Sequence, residues 1–376
     1  MADRVGPGRH DHQYTPGTAG KGRWSVDAPG RVLARCPHRH NRGRWRGGDP
    51  EPARFFGGRV RGTEPAGLAP LNRSVALGPV TLRSPLVGAS GTVGSAVDFV
   101  SVASPDHYGA LVAKSVAPEP WTGNPPPRLA PAGAGMLNAI GIQNPGIEAW
   151  LAEFGPLLDS VGVPVWGSAV GHHPAGFAAV ARGLEEGGVE AVEVNLSCPN
   201  LDGHGLIALD PDASARVIEA VRSAASGPVS AKLSPNASDI VAVAASVWNA
   251  GADWVVIGNT VWGAAIDIES GTPRVATGSG GYSGPPLKPI ALRAVMEVAT
   301  RLPEVPILGC GGVVTGEDVV EYLMAGAGAV AIGTVHFAEP RAARRIDREL
   351  ARWCRTHGVE RVSDLVGVAL REESLP

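Results

Sequence analysis

A thiol bracketed by amides closes the extended run Val192-Glu193-Val194-Asn195-Leu196-Ser197-Cys198-Pro199-Asn200. Pro199 steers Cys198 away from the helical region, which places the sulfur on an irregular turn just past a β-branched strand. A thiol there can ionise close to neutral pH and, as thiolate, take up a proton, while Asn195 and Asn200 can hold a flat polar ring through donors and acceptors that carry no charge. A cysteine met at random is more often a small buried hydrophobe, so the weight rests on its company. Lys232 ends the run Val229-Ser230-Ala231-Lys232-Leu233, and an ammonium in such an interior position needs a negative partner. A reduced flavin is one such partner; a carbonyl captured as a Schiff base is another. Lys114 repeats the pattern after an earlier apolar run. Further amides stand in Met136-Leu137-Asn138-Ala139-Ile140-Gly141-Ile142-Gln143-Asn144 and at Asn259-Thr260, a set suited to an imide-like heterocycle such as a planar pyrimidine. Gly311-Gly312 and Gly333-Thr334 offer bare backbone N–H groups to an anion, as a phosphate site requires.

These groups need a frame that brings them to one place. From residue 80 onward, short apolar runs alternate with longer segments of helical period. The strands are predicted at Pro85 to Ala89, Ala110 to Ala113, Val163 to Ala169, Val189 to Val194, Val229 to Leu233, Trp254 to Gly258, Val305 to Leu308 and Ala329 to Ile332. Helices are predicted over Gly146 to Ser160, Pro174 to Glu186, Asp212 to Ala225, Ser238 to Ala250, Leu287 to Arg301, Gly316 to Ala325 and Glu339 to Thr356. Asp210-Pro211 and Asn236-Ala237-Ser238 supply capping oxygens, and Gly251 and Gly326 supply stops. Eight strand–helix units predict an α/β fold, a (β/α)8 TIM barrel, whose active site lies at the C-terminal ends of the strands. Those ends carry Ser90-Gly91-Thr92, Lys114-Ser115, Ser168, Asn195 with Cys198, Lys232, Asn259-Thr260, Gly311-Gly312 and Gly333-Thr334. No G-x-G-x-x-G follows a strand, which argues against a Rossmann nucleotide fold. Gly278 to Gly284 reads as a flexible loop above the sixth strand, and His172-His173 as solvated residues rather than metal ligands.

The bulk composition sets further bounds. The chain has 376 residues, 44% hydrophobic and 18% charged, with a net charge of −3, ordinary values for a globular protein with a sizeable core. No apolar run approaches the roughly 18 to 20 residues that a membrane helix needs, and the N-terminus lacks a signal peptide's apolar centre; a cytoplasmic protein is expected. Charge is unevenly spread: residues 1–70 hold 13 Lys/Arg against 6 Asp/Glu, leaving 20 against 30 for residues 71–376. Residues 1–70 are rich in Arg, Gly and Pro without a regular period, which predicts a disordered or non-native basic extension ahead of a catalytic domain at 71–376. They lack the aromatic interleaving of a nucleic-acid binder. Cys36, Cys198, Cys310 and Cys354 form no C-x-x-C pair, which argues against a zinc site, a disulfide framework or a resident iron–sulfur centre.

Residues 72 to about 368 resemble a class 1 dihydroorotate dehydrogenase. The resemblance rests on Ala89-Ser90-Gly91-Thr92, Ala113-Lys114-Ser115, Gly123-Asn124-Pro125 through Arg128, MLNAIGIQNPG at Met136 to Gly146, NLSCPN at Asn195 to Asn200, KLSPN at Lys232 to Asn236, Asn259-Thr260, GGYSGPPLK at Gly280 to Lys288, and the two glycine pairs. It implies oxidation of (S)-dihydroorotate to orotate in pyrimidine biosynthesis, with FMN as cofactor and no membrane anchor. It also implies that Cys198 removes the C5 proton while C6 delivers hydride to FMN N5. Substrate would be held by Lys114, Asn138, Ala139, Ile140, Gly141, Ile142, Asn195, Asn259 and Thr260. FMN would be held by Ser90, Lys114, Ser115, Ser168, Asn195, Lys232, Gly258, Gly284, Gly311, Gly312, Gly333 and Thr334. The GNPxPR and MLNAIGIQNPG segments are similar to class 1B, which implies a partner subunit carrying FAD and a [2Fe–2S] cluster that passes electrons to NAD, in a homodimer or heterotetramer. Three departures stand out: Ser168 replaces the usual amide of the third strand end, Gly258 replaces an Ile, and the loop Leu201 to Gly205 is shortened. A dihydropyrimidine dehydrogenase-like FMN enzyme, a Schiff-base lyase using Lys232 and a catalytically silent binder are the alternative readings.

Overall fold

The computed structural model describes residues 71–196 and 207–371. Within them eight parallel strands close into a barrel: β1 (Leu86–Gly88), β2 (Ala110–Val112), β3 (Val165–Ala169), β4 (Ala191–Asn195), β5 (Val229–Leu233), β6 (Trp254–Ile257), β7 (Ile307–Cys310) and β8 (Ala329–Ile332). Each strand pairs with the next along the chain, and β8 returns to β1 with Val330 opposite Leu86. All eight predicted runs land on these strands, with ends displaced by a few residues at most. The basic extension at 1–70, the loop Leu201 to Gly205, and the two residues Cys198 and Asn200 lie outside the described residues.

Register decides which side chains face inward. Glu193 on β4 lies opposite Ser230 on β5, and Asn195 lies opposite Lys232; with a side-chain period of two, these four share the interior face. Val192, Val194, Val229 and Ala231 face the helices. Trp166 on β3 and Trp254 on β6 sit three strands apart, yet their ring centroids are 5.0 Å apart, a meeting that only the barrel interior permits. Trp254 is in register with Ser230, two residues before Lys232, so the indoles fill the floor and the polar groups stand above them toward the mouth.

The outer layer comprises α1 (Ile147–Phe154), α2 (Pro174–Glu186), α3 (Pro211–Arg222), α4 (Ile240–Asn249), α5 (Lys288–Arg301), α6 (Gly316–Met324), the single turn α7 (Val335–Ala338) and α8 (Ala342–Thr356). The predicted helix Gly146 to Ser160 is α1 followed by a 3-10 segment from Gly155, where Pro156 supplies no N–H to continue the α pattern. Asp210 caps α3 by accepting from the Ala213 N–H at 2.9 Å. The cap of α4 is Asp239, which accepts from Ala242 N–H at 2.9 Å, rather than Asn236 or Ser238. Gly251 and Gly326 follow α4 and α6 with φ of +101° and +106°, the left-handed stops expected of them.

One expectation is corrected. Within Gly278 to Gly284, read as a flexible loop, Gly280–Ser283 is a strand. It lies between Val261–Gly263 and Gly135–Asn138 in a four-stranded antiparallel sheet whose outer strand is Leu129–Ala132. A side chain on Gly281 would run into the Thr260 side chain, so glycine is what lets this strand lie against the barrel mouth. His172 and His173 are exposed as expected but not idle: His173 caps α2 by accepting from Gly176 N–H at 3.1 Å, and His172 packs on Trp121 with centroids 4.6 Å apart. Among the described residues no group of three or more His, Cys, Asp or Glu could hold a metal. No helix among them is long and apolar enough to cross a membrane.

Candidate active site

A cavity of about 740 Å³ lies between the C-terminal ends of the barrel strands and the antiparallel sheet. Its barrel wall carries Ser90 after β1, Lys114 and Ser115 after β2, Asn195 at the end of β4, Lys232 near the end of β5 and Gly258, Asn259 and Thr260 after β6. Gly311, Gly312, Gly333 and Thr334 complete that wall after β7 and β8, and Gly284 lies beside them. The opposite side contributes Asn138, Ile140, Gly141 and Ile142. The structure brings these residues to one cavity from nine segments of the chain.

Two predicted residues do not reach the cavity. Ser168 is fully buried and meets it only through Ser115, its Oγ lying 2.9 Å from the Ser115 Oγ. Lys232, also penultimate on its strand, is long enough to reach the mouth where a serine is not. Ala139 is buried in the small core of the antiparallel sheet; its N–H donates to Arg128 O at 2.7 Å and its carbonyl accepts from Asn124 Nδ2 at 3.1 Å. Its neighbours line the site while it holds them in place.

Hydrogen bonds fix the polar groups. Asn195 Nδ2 donates to Ser115 Oγ at 3.2 Å, and Ser90 Oγ donates to Ala113 O at 2.8 Å. Asn138 Nδ2 donates to Gly281 O at 3.2 Å, tying the overlying strands together. Asn236, from the KLSPN segment, donates to Thr260 O at 3.0 Å and accepts from Trp262 N–H at 3.1 Å, which pins the loop bearing Asn259 and Thr260.

The glycine end of the cavity is closely packed against the start of α5. Gly311 and Gly312 adopt φ of +138° and +71°, and a Cβ on Gly312 would lie 2.5 Å from the Lys288 backbone nitrogen. Lys288 Nζ is in turn held by Asp318 at 2.6 Å and Glu321 at 2.9 Å. Asp318 accepts from the Val314 and Thr315 N–H groups, each at 2.8 Å, and forms a capping box with Thr315. Burial opposes the Asp318 charge, but Lys288 and these N–H groups outweigh it and hold the carboxyl below its usual range. Gly312→Ala is expected to cost about 1–3 kcal/mol through overpacking and backbone strain; an unchanged thermal unfolding midpoint would contradict this account.

Three groups escaped the sequence reading. Glu193 is 2% exposed and its Oε1 lies 3.5 Å from Lys232 Nζ. Burial disfavours the Lys232 charge, and the Glu193 carboxylate overrides this to keep the ammonium above its usual pKa. Cys310, at the end of β7, lines the cavity beside this pair, and burial pushes its thiol up. His336, buried at 3% exposure, lies 2.9 Å from Tyr108 Oη through Nε2 and 3.0 Å from Thr92 Oγ1 through Nδ1. The Thr92 hydroxyl donates to Ala89 O at 2.8 Å, so it accepts from Nδ1–H, and Nε2 accepts from the tyrosine. One neutral imidazole thus joins the loops after β1 and β8 to the start of β2.

A family model described as dihydroorotate dehydrogenase matches residues 74–353. The chain belongs to the dihydroorotate dehydrogenase family. It is 43% identical over 296 residues to the catalytic subunit of dihydroorotate dehydrogenase B (NAD(+)) from Pelobacter propionicus, covering 78% of this chain and 97% of that protein. It is 41% identical over 299 residues to the protein of the same description from Listeria monocytogenes, covering 78% and 98%. The fold is shared with Eimeria tenella DHODH solved in complex with ferulenol, with a TM-score of 0.67 at 22% identity, over 80% of this chain and 89% of that one. The resemblance to class 1B is therefore upheld, and the chain is an oxidoreductase that oxidises dihydroorotate in pyrimidine biosynthesis.

Proposed function

We propose that this chain is the FMN-bearing catalytic subunit of an NAD-linked dihydroorotate dehydrogenase, with Cys198 as the base. The observation that carries the reading is the joint presence, in one cavity, of two lysines, uncharged amides and two glycine-lined turns. The cavity fits the cofactor: Gly311, Gly312, Gly333 and Thr334 line one end of it, where backbone N–H groups next to side-chain-free glycines can hold a phosphate. Lys232, Ser90, Ser115, Gly258 and Gly284 would hold the ring system, with Ser168 supporting it through Ser115. When bound, the flavin supplies the acceptor for the hydride leaving C6.

The chain's own residues do the rest. Lys114, Asn138, Asn195, Asn259 and Thr260 orient the flat pyrimidine, aided by the backbone from Ile140 to Ile142. The Asn195 amide is fixed by its bond to Ser115, so it enters the reaction already oriented. Cys198 as thiolate takes the C5 proton, a task suited to a group whose ordinary pKa is about 8.5. Lys114 and Lys232 concentrate positive charge at the cavity wall, which favours that thiolate.

The relatives' description as catalytic subunits of NAD(+)-linked enzymes supports a partner electron-transfer subunit; the resemblance implies that this partner carries FAD and a [2Fe–2S] cluster, in a homodimer or heterotetramer in the cytoplasm. The family match begins at residue 74, which supports reading residues 1–70 as an extension outside the catalytic unit. The visible spectrum of the purified chain tests the proposal. Bound FMN should bleach on addition of dihydroorotate and not of dihydrouracil. Protein that retains no added FMN, or that bleaches only with dihydrouracil, would overturn it.

A further inference from the structure

Lys232 ends in the cavity, but what secures its charge lies beneath. Glu193 precedes the cavity-lining Asn195 by two residues on β4, and Lys232 is the register partner of Asn195 on β5. Both acid and base therefore project into the barrel interior, one storey apart, with side chains 2% and 7% exposed and 3.5 Å between Oε1 and Nζ. Among the described residues its Oε1 accepts no hydrogen bond, and neither Ser230 Oγ nor Trp254 Nε1, which lie in register with it or with Ser230, has a partner. Glu193 is thus a charge kept in the core at considerable desolvation cost, facing one ammonium that lines the cavity.

We propose that Glu193 is a positioning residue for the reaction: its carboxylate holds the Lys232 ammonium at the cavity wall and so preserves the positive charge that meets the electron-rich edge of the reduced cofactor. This rests on the FMN reading above. Among the described residues the charged and titratable groups that face Lys232 are Glu193 from β4 and Cys310 from β7, and Lys114 lines the same cavity from the β2 end. The Cys310 thiol is kept neutral by burial and cannot replace the carboxylate. With Glu193 neutralised, burial of Lys232 goes uncompensated, and the lysine gives up its proton at lower pH. The side chain then remains but its charge is lost.

The test compares binding of oxidised and reduced FMN to wild type and Glu193→Gln between pH 6 and 9. Wild type should hold reduced FMN with a preference, relative to oxidised FMN, that does not change with the charge of Lys232 over this range. In Glu193→Gln that preference should fall about tenfold toward the alkaline end, equivalent to about 30 mV for a two-electron couple, and recover as the pH is lowered. Glu193→Asp should restore most of it. A variant that folds, binds FMN and reproduces the wild-type preference at every pH overturns the proposal, whereas failure of wild type to bind FMN overturns the underlying functional reading instead. If Glu193→Gln does not fold, Glu193→Ala is measured in its place: a loss of the same sign and pH trend supports the role, and a wild-type profile rejects it.

Discussion

Cys198→Ala should lower turnover of dihydroorotate by about 10²–10⁴-fold, the range removed with a positioned general base, while FMN remains bound. Cys198 lies outside the described residues, but its anchorage does not. Asn195, three positions before it in the sequence, lines the cavity. The chain also returns to the same place, because Ala208 N–H donates to Leu196 O at 3.1 Å. Cys310 is the one thiol among the described residues that borders the cavity, and burial raises its pKa, which makes it a poor base at neutral pH. Cys198→Ser should retain a small activity that climbs with pH beyond the point where the wild-type profile levels, since a hydroxyl gives up its proton less readily than a thiol. Stopped-flow bleaching of the bound flavin measures the reductive step directly. Wild-type rates in Cys198→Ala would remove the proposed base and revive the silent-binder reading.

Most of this architecture is legible before any coordinates because a parallel barrel writes its strands as short apolar runs, each followed by polar or glycine residues. The run Val229 to Leu233 predicts β5 at both ends, and Pro174 to Glu186 predicts α2 at both ends. Legibility fails where a local rule is overruled by a tertiary one. Gly280 to Ser283 has almost no strand propensity; it becomes a strand because the barrel mouth and Gly135 to Asn138 provide partners on either side. Ser168 occupies a strand-end position, yet the reach of its side chain decides whether it meets the cavity. Glu193 was hidden in an alternation that, in an open sheet, would send it to solvent. Barrel closure turns that same face inward, and only the register with β5 identifies Lys232 as its counterpart.

The other large effect concerns stability in acid and arises at His336. Burial holds its pKa down at about 4, against an ordinary value of 6.5, so the unfolded chain binds a proton between these pH values and the folded chain does not. Stability from this group is complete above about pH 6.5 and falls as the pH drops toward 4. The difference corresponds to roughly 3 kcal/mol at 1.36 kcal/mol per pKa unit, an order-of-magnitude figure. Protonation would also put a second N–H where Nε2 now accepts from Tyr108, breaking the link between β2 and the loop after β8 while Phe99 packs against the ring at 5.3 Å. His336→Gln removes the titration and should lower stability at pH 7, because the amide cannot reproduce both bonds at the imidazole's positions. Its urea midpoint should then decline less steeply than wild type between pH 6.5 and 4.5, with acid losses from carboxylates common to both proteins cancelling in the comparison. Parallel curves would mean that the imidazole accepts its proton without penalty and that the Tyr108–His336–Thr92 chain does not hold these loops together. Converging curves, with loss of FMN from wild type in the same pH window, would tie the cradle after β8 to the neutrality of one buried ring.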